Sequence, residues 1–357
     1  MAKINYLRDK IDRIDDQLLK LVNRRARLAI KIGEEKSRSG KGKHFHVPHR
    51  EREIIERLLK LNEGPFPKSS MEAVFREIFS ATLALEKPLK IAYLGPEATF
   101  THQASVKQFG RSSNLMPQPT IDTVFREVEQ GRADYGVVPV ENSIEGSVNH
   151  TLDCLVDTSL VICDEMKMEI SLYLISKLND PKKIKKIYSH PQPLAQSRGW
   201  LNQNLPRTEH FETSSTAHAA LLALEKPHSA AVAAKLAAEY YKLNILAEKI
   251  ETHAENFTRF LVVTKDSAKK AKSNKTSLIF SIKDESGELL KNLQDFARNN
   301  INLSKIQSRP LPQRPWEYLF FVDCDGHIED KGVAKVISSI RKRSLFLKIL
   351  GSYPKKV

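Results

Sequence analysis

The stretch KINYLRDKIDRIDDQLLKLVNRRARLAIKIGEEK, residues 3–36, decides the architecture of the first part of the chain. Its apolar residues recur at alternating spacings of three and four, which predicts one helix of about 35 residues with a single apolar seam. The seam comprises Ile4, Leu7, Ile11, Ile14, Leu18, Leu21, Leu28 and Ile32. Arg25 stands between Leu21 and Leu28, so a guanidinium is predicted where a hydrophobic side chain belongs.

Arg25 allows two interpretations. Burying an unpaired guanidinium is costly, so Arg25 either faces an anionic ligand or extends its charged end to solvent. Arg8 and Lys36 lie four heptads apart and flank the same seam, so three cations share one face of the predicted helix. This arrangement favours an acidic ligand.

Two shorter helices follow the long one. The second pattern contains Ile54, Ile55, Leu58, Leu59 and Leu61, and the third contains Val74, Phe75, Ile78, Phe79 and Leu83. Thr82 and Glu86 face the same way on the third helix because they are four residues apart. A long helix overhangs two shorter partners and cannot close a core with them, so an intertwined dimer is predicted.

The pattern Leu7-Arg8, Arg24-Arg25, Lys36, Arg50-Glu51 and Glu86 resembles the all-helical chorismate mutases, and we assign residues 1–88 to such a domain. The resemblance implies a site built from both subunits, with Arg8 reaching into the partner's site. It implies that Arg25 and Arg50 hold the substrate dianion, that Lys36 donates to the breaking ether oxygen, and that Glu51 and Thr82 also bind substrate. Glu86 stands where many relatives have Gln, so it must be protonated to donate.

The chemistry of that family explains the residue types. A Claisen rearrangement needs its substrate held in a compact conformer, with positive charge where the ether oxygen becomes negative. It needs no nucleophile, metal ion or proton transfer. We therefore predict no cofactor.

After Lys87-Pro88 the pattern changes to alternating strands and helices, which indicates an open α/β sheet. Strands are predicted at residues 90–94, 135–140 and 186–189, and helices at 121–128, 193–202 and, in an Ala-rich run, 230–241. Ligands of such sheets bind beyond the carboxyl ends of the strands.

Polar residues cluster at those predicted strand ends. They are Thr99, Glu141, Asn142, Ser143, Ser189, Gln196, Ser215 and Thr216. Each can act as a local cap of a helix or turn, and this alternative stays open for each residue taken singly. Their convergence on one cleft is the functional interpretation.

The strings Tyr93-Leu94-Gly95-Pro96, Val138-Pro139-Val140-Glu141-Asn142-Ser143, Ser189-His190-Pro191-Gln192 and Thr258-Arg259-Phe260 closely resemble prephenate dehydratase. We assign residues 89–268 to this domain. The resemblance implies two α/β lobes similar to type II periplasmic binding proteins, with the site between them. Thr258 is the expected hydrogen-bond donor to the departing hydroxyl, and the polar residues above, with Arg259 and Phe260, are expected to bind substrate. Ala98 replaces a usual Gly, which is expected to affect the local turn.

The last segment, residues 276–357, predicts the order βαββαβ of a ferredoxin-like unit. It resembles the amino-acid-binding regulatory module called the ACT domain. The motif Ser308-Arg309-Pro310 carries this resemblance, which implies feedback inhibition by phenylalanine. The expected effector-binding residues are Gly287, Leu289, Gln307, Ser308, Arg309 and Pro310.

Composition limits the function classes. The chain has 357 residues, a formal net charge of +14 and three cysteines. Its Lys-rich runs lack interleaved aromatics, so nucleic-acid binding is not predicted. The spacing of the cysteines shows no pairs, which argues against structural zinc and for a reducing compartment. Because no signal peptide or membrane span is predicted, we expect a cytoplasmic protein. The long first helix adds the expectation of a homodimer or higher oligomer.

The sequence predicts a multidomain protein with chorismate, prephenate and phenylalanine as ligands, and without metal, nucleic acid or membrane. Two other interpretations stay open. The first domain can be a dimerisation element of a dehydratase, or the two lobes can form a non-catalytic sensor of small acids.

Overall fold

The computed structural model describes residues 2–38, 48–86, 88–252, 255–282, 285–311 and 314–356. The chain divides into two units. The first unit contains residues 1–90 and 106–114, and the second contains residues 91–105 and 115–357. Among the described residues, no helix combines the length and the apolar character needed to cross a membrane.

The first unit is built on helices α1 (Ala2–Arg38), α2 (Pro48–Leu61) and α3 (Lys68–Glu86). The long helix predicted from the apolar seam is confirmed, with 37 residues. Helix α3 packs against both α1 and α2.

The apolar seam of α1 is exposed in the single chain. Ile11, Leu18 and Ile32 each keep more than half of their surface in water, at 56%, 53% and 55%. A different stripe of α1 faces α3, and it includes Arg25 and Gly33. The sequence pattern placed Arg25 within the apolar seam, whereas the structure directs its side chain to α3 and leaves the seam uncovered.

The first lobe is built on one mixed sheet, and it belongs to the second unit except for residues 90 and 106–114, which are counted with the first. Its elements are β1 (Lys90–Leu94), α4 (Phe100–Phe109), β2 (Asn114–Gln118), α5 (Ile121–Glu129), β3 (Tyr135–Asn142), β4 (Gly146–Ser147), α6 (Asn149–Asp157), β5 (Val161–Glu169) and the later strand β11 (Phe257–Thr264). The strand order is β2-β1-β3-β11-β5, with β4 paired to β3. Strands β1 and β3 are parallel, whereas β11 runs antiparallel to both β3 and β5.

The second lobe is inserted between β5 and β11. Its elements are β6 (Tyr173–Ser176), β7 (Lys186–Ser189), α7 (Pro191–Asn204), β8 (Glu209–Glu212), α8 (Thr216–Glu225), β9 (Ser229–Ala233), α9 (Lys235–Tyr241) and β10 (Asn244–Ala247), with the strand order β10-β6-β9-β7-β8. Because the chain leaves the first lobe and then returns as β11, residues far apart in sequence meet at one strand pair.

The predicted Ala-rich helix over residues 230–241 is wrong in its first half. Residues Ser229–Ala233 form the central strand β9, and only Lys235–Tyr241 are helical. Every residue of β9 is buried, since the strand pairs with β6 and β7 and α8 packs on it. Small side chains let these layers approach closely, so tertiary packing overrode the helix propensity of alanine.

The last part of the second unit has the predicted βαββαβ order. Its elements are β12 (Asn274–Ser281), α10 (Glu288–Arg298), β13 (Leu303–Leu311), β14 (Arg314–Asp325), α11 (Lys331–Arg343) and β15 (Phe346–Pro354). The antiparallel strand order β13-β14-β12-β15 confirms the ferredoxin-like topology.

The ferredoxin-like part shares a hydrophobic core with the first lobe. Val138 and Leu261 from the lobe belong to the same buried cluster as Ile279 and Phe321. A Cβ atom on Gly351 of β15 would lie only 2.2 Å from the carbonyl oxygen of Ile162 in β5. This close approach and the shared core join the two sheets into one unit.

Candidate active sites

Arg25 is the centre of the candidate site in the helical unit. Its Nη1 atom donates to Oγ1 of Thr82 at 2.9 Å, and its guanidinium lies 4.8 Å from the ring centroid of Phe79. The Thr82 hydroxyl in turn donates to the carbonyl of Ile78, one turn earlier on α3. Burial lowers the pKa of Arg25, and the negative charge of Glu51 opposes that shift. Arg25 is therefore a half-buried cation fixed by α3.

Glu86 of α3 lies against Gly33, which is two turns after Arg25 on α1. A Cβ atom on Gly33 would lie 2.7 Å from Oε2 of Glu86, so the absence of a side chain at Gly33 makes room for that carboxylate. Thr82 and Glu86 are one turn apart on α3. The structure thus brings the predicted residues Arg25, Thr82 and Glu86 to the same α1–α3 face.

Two other predicted residues of this site, Arg8 and Arg50, are exposed in the single chain. Arg8 is exposed and lies 17 residues before Arg25 on the same helix, about 25 Å away along its axis. Arg50 is exposed and pairs with Glu53 at 3.2 Å. The backbone of Lys36 belongs to α1, but its side chain lies outside the described residues.

Thr258 and Asn142 form the centre of the second candidate site. They pair directly across β11 and β3, at the carboxyl end of β3. The Asn142 side-chain Nδ2 donates to Oγ1 of Thr258 at 2.9 Å and to Oδ1 of Asn256 at 2.8 Å. Asn142 Oδ1 accepts the backbone N–H groups of Ile144 and Glu145, which fixes the orientation of its amide.

The hydrogen-bonded chain continues into the second lobe. Asn256 donates through Nδ2 to Oε1 of Gln196 on α7 at 3.1 Å. Nε2 of Gln196 is buried and has no hydrogen-bond partner among the described residues. Asn256 is only 1% exposed and bridges the lobes, yet the sequence reading omitted it from the site. The sequence signal that could have identified Asn256 is its position two residues before Thr258.

Two of the predicted substrate-binding serines form backbone contacts instead. The Ser143 hydroxyl donates to the carbonyl of Glu255 and accepts the N–H of Phe257, at 3.0 and 2.9 Å. Ser189 is fully buried and donates to the carbonyl of Val232 at 2.6 Å. Both hydroxyls hold the strand ends that support Thr258 and Gln196.

Thr99, Ser215 and Thr216 lie at the beginnings of helices. Thr99 donates to the carbonyl of Pro96 at 2.9 Å, and Ser215 caps α8 by accepting the N–H of His218 at 3.0 Å. Thr216 is buried in the first turn of α8. Ala98, which replaces a usual Gly, adopts the left-handed conformation with a φ of +64°. That conformation costs an alanine about 1 kcal/mol.

Arg259 and Glu141 point away from Thr258, toward the ferredoxin-like sheet. Neighbouring residues of a strand face opposite sides, so Arg259 lies on the other face of β11. Its guanidinium pairs with Glu165 at 2.7 Å and with Asp323 at 2.6 Å, and it donates to the Tyr353 hydroxyl at 3.1 Å. Burial alone would lower the pKa of Arg259, but the charges of Asp323 and Glu165 raise it above its usual value. The next residue along β11, Phe260, is a buried core residue at 1% exposure.

Several predicted effector-binding residues contact the first lobe. Gln307 accepts a hydrogen bond from the Ser147 hydroxyl, and Arg309 pairs with Asp153 of α6. Lys305, which the sequence reading missed, pairs with Glu141 at 2.9 Å. Every second residue of β13 therefore faces the lobe that carries Asn142.

The remaining predicted effector-binding residues have different surroundings. Ser308 and Pro310 are exposed on the opposite face of β13. Gly287 has a φ of +84° and precedes α10, and Leu289 packs against the core of the ferredoxin-like part. The neighbouring Glu288 is buried and pairs with Lys291.

Comparisons with known proteins match the two parts of the chain that contain the candidate sites. The family model of chorismate mutase type II matches residues 7–87, and that of prephenate dehydratase matches residues 91–268. The bifunctional chorismate mutase/prephenate dehydratase of Aquifex aeolicus (strain VF5) is 49% identical over 359 aligned positions, covering 99% of each chain. The chain belongs to this bifunctional family. It is an enzyme with chorismate mutase and prephenate dehydratase activities in aromatic amino acid biosynthesis.

Solved structures support the fold of the dehydratase part. The prephenate dehydratase of Arthrobacter aurescens in complex with L-Phe has a TM-score of 0.69 and 34% identity, covering 74% of this chain and 89% of that chain. The Staphylococcus aureus enzyme has a TM-score of 0.65 and 28% identity, covering 74% of this chain and all of that chain. The mixed α/β architecture of the second unit is thus that of a prephenate dehydratase.

Proposed function

We propose that residues 1–88 convert chorismate to prephenate, that residues 89–268 convert prephenate to phenylpyruvate, and that residues 276–357 sense phenylalanine. The hydrogen-bonded chain from Thr258 through Asn142 and Asn256 to Gln196 is the observation that carries the dehydratase assignment. The half-buried Arg25 of α1, which donates to Thr82 of α3, carries the mutase assignment. Three free cysteines support a cytoplasmic location for the enzyme.

In the mutase site, Arg25 binds a carboxylate of chorismate. Its guanidinium is held between Thr82 and Phe79, so it is oriented before substrate arrives and little side-chain entropy is lost on binding. Lys36 and a protonated Glu86 donate to the ether oxygen as its bond breaks. The negative charge that develops there is stabilised in the transition state more than in the bound substrate.

The mutase site is completed by a second copy of the chain. The exposed seam of α1 offers a continuous apolar face, and burying it against another α1 is favourable by about 25 cal/mol per Å² of apolar surface. Arg8 lies about 25 Å from Arg25 along one helix, so it serves the partner's site when two α1 helices run antiparallel. The enzyme is in this proposal a homodimer or a larger assembly of such dimers.

In the dehydratase site, Thr258 donates a hydrogen bond to the departing hydroxyl of prephenate. Its oxygen already accepts from Asn142, and no hydrogen bond donated by the Thr258 hydroxyl is found among the described residues. A hydroxyl has one donor hydrogen, which is thereby directed to the ligand. Nε2 of Gln196 donates to a substrate carboxylate. Aromatisation drives loss of carbon dioxide and water, so a positioned donor suffices.

Substrate binding also involves the helix N-termini at which Ser215, Thr216 and Thr99 lie. Backbone N–H groups at a helix N-terminus favour an anionic group such as a prephenate carboxylate. Ser143 and Ser189 support this site through backbone contacts, Arg259 and Glu141 support it from behind the sheet, and Phe260 supports it as a buried core residue of β11. We therefore propose a positioning role for these five residues.

Phenylalanine regulates the dehydratase through β13. Lys305, Gln307 and Arg309 contact Glu141, Ser147 and Asp153, and Glu141 adjoins Asn142 of the proposed substrate-binding site. An effector that binds at Gly287, Leu289 and the segment from Gln307 to Pro310 competes for some of these contacts. It thereby shifts the first lobe between two states with different affinities for the effector.

A coupled assay tests both activities. Purified enzyme is incubated with chorismate, and prephenate and phenylpyruvate are measured over time. We expect both products in sequence. Phenylpyruvate formed only from added prephenate would show that the first domain merely dimerises, and turnover of neither substrate would show a non-catalytic sensor.

A further inference from the structure

A cluster of three side chains lies outside both candidate active sites, between α5 and α6. Asp122 is in the first turn of α5, and His150 and Cys154 are one turn apart on the same face of α6. Nε2 of His150 lies 2.5 Å from Oδ2 of Asp122, and Sγ of Cys154 lies 3.5 Å from Oδ1. One candidate ligand atom from each residue lies within 4.8 Å of the others.

The three donor atoms suit zinc. Carboxylate oxygen, imidazole nitrogen and thiolate sulfur bind Zn²⁺ at about 2.0 to 2.3 Å, so two ligand atoms of a tetrahedral ion lie roughly 3.3 to 3.6 Å apart. The separation of Cys154 Sγ from Asp122 Oδ1 already matches that range. The His150 and Asp122 side chains are about half exposed, at 54% and 50%, so they can separate to admit an ion.

Carboxylates lie close to the three candidate ligands. Asp153 and Asp157 are on the same helix as His150 and Cys154, and Asp153 pairs with Arg309. Asp122 itself is about half exposed, so a cation can reach it from solvent.

We propose that Asp122, His150 and Cys154 bind one divalent zinc ion that joins α5 to α6. The thiol releases its proton to solvent as the sulfur–zinc bond forms, and no electron is transferred. Three protein ligands leave the fourth tetrahedral position to water. Helix α6 follows β4, which pairs with Glu141 and Asn142, so the ion stabilises the part of the first lobe behind the dehydratase site.

Cobalt titration of the full chain tests this site, because Co²⁺ replaces zinc and a cobalt–thiolate bond gives a ligand-to-metal charge-transfer band. We expect one equivalent of Co²⁺ with that band, displaced by Zn²⁺. Cys154→Ser should remove the band, and His150→Ala and Asp122→Asn should each weaken binding about tenfold or more. Thermal unfolding without metal checks that each variant is folded.

Two matched controls use other cysteine and histidine residues. Cys163→Ser and His210→Ala should leave the cobalt band unchanged. The proposal is overturned if no thiolate band forms, if the band survives in Cys154→Ser, or if His150→Ala binds as tightly as the parent chain. Metal held only by histidines such as His44 and His46 gives no thiolate band and would overturn it as well.

Discussion

The two candidate active sites differ in how much of each a single chain completes. The dehydratase site is a continuous hydrogen-bonded chain from Thr258 to Gln196, supported by buried ion pairs behind the sheet. The mutase site in one chain contains Arg25, Thr82 and Glu86, while Arg8 points from the far end of α1 and the apolar seam stays exposed. Strand pairing brings distant residues together within one chain, whereas a helix longer than its partners leaves its apolar seam uncovered.

The largest expected effect comes from the ion pairs behind β11. Arg259→Ala leaves the buried Asp323 without the cation that pairs with it, while Glu165 keeps its pair with Lys275, and this should lower the stability of the second unit by about 3 kcal/mol. Urea inactivation followed by both assays measures this. Dehydratase activity should be lost at lower urea than in the parent enzyme, with the mutase midpoint unchanged. Equal shifts of both midpoints would show that the Arg259 ion pairs do not stabilise the dehydratase site independently of the mutase site.

Removing the proposed donor tests the completeness of the dehydratase site. Thr258→Ala should lower dehydratase kcat by about 10² or more, because the hydroxyl acts on the departing group in the transition state. Mutase kinetics should stay unchanged. Thr258→Ser is the matched control and should keep most of the activity, since it retains the hydroxyl. Full dehydratase activity in Thr258→Ala would remove Thr258 from the catalytic set.

Mixed dimers test whether the mutase site needs two chains. Arg8→Ala and Arg25→Ala should each lower mutase kcat/KM by about 10² or more when assayed alone. Co-refolded mixtures should recover roughly a quarter of the parent activity, because half of the dimers are mixed and each mixed dimer has one intact site. Thr258→Ala mixed with Gln196→Ala should recover no dehydratase activity beyond that of the separate variants. Failure of the arginine variants to complement would show that Arg8 does not act across the dimer.

The pH dependence of the mutase tests the role of Glu86. A carboxylate cannot donate a hydrogen bond, so the active form is protonated, and kcat/KM should fall about tenfold per pH unit above the controlling pKa. Glu86→Gln should donate at every pH and flatten the profile. The dehydratase profile of the same variant serves as the internal control. An unchanged mutase profile in Glu86→Gln would remove Glu86 from the catalytic set.

The smallest expected effect concerns β13. Arg309→Ala removes a partly exposed ion pair with Asp153, so stability should change by less than about 1 kcal/mol. Inhibition of the dehydratase by phenylalanine should nevertheless weaken. Lys355→Ala removes a comparable pair with Asp325, which lies at the opposite end of the β13–β14 pair from Arg309, and it should leave inhibition unchanged. Identical inhibition in both variants would exclude Arg309 from effector sensing.

Local patterns in the sequence were enough for much of the fold. The α1 helix, the buried face of α5 and the βαββαβ order are all confirmed, because each depends on the spacing of apolar residues within single elements. The helix prediction for β9 is wrong because its small residues fit a central position in the sheet, and the local sequence does not show that position.

Residue identity and order by themselves determined the families, the helix and strand periods, and Thr258, Asn142 and Gln196 as members of one site. Only the tertiary structure decided which way neighbouring residues face. Pairing of β11 with β3 directs Thr258 to Asn142, and the alternation of the strand then sends Arg259 to the buried acids behind it. Such assignments depend on contacts between residues far apart in the chain, such as Asn142 and Thr258, which are 116 positions apart, and a local sequence pattern does not contain that information.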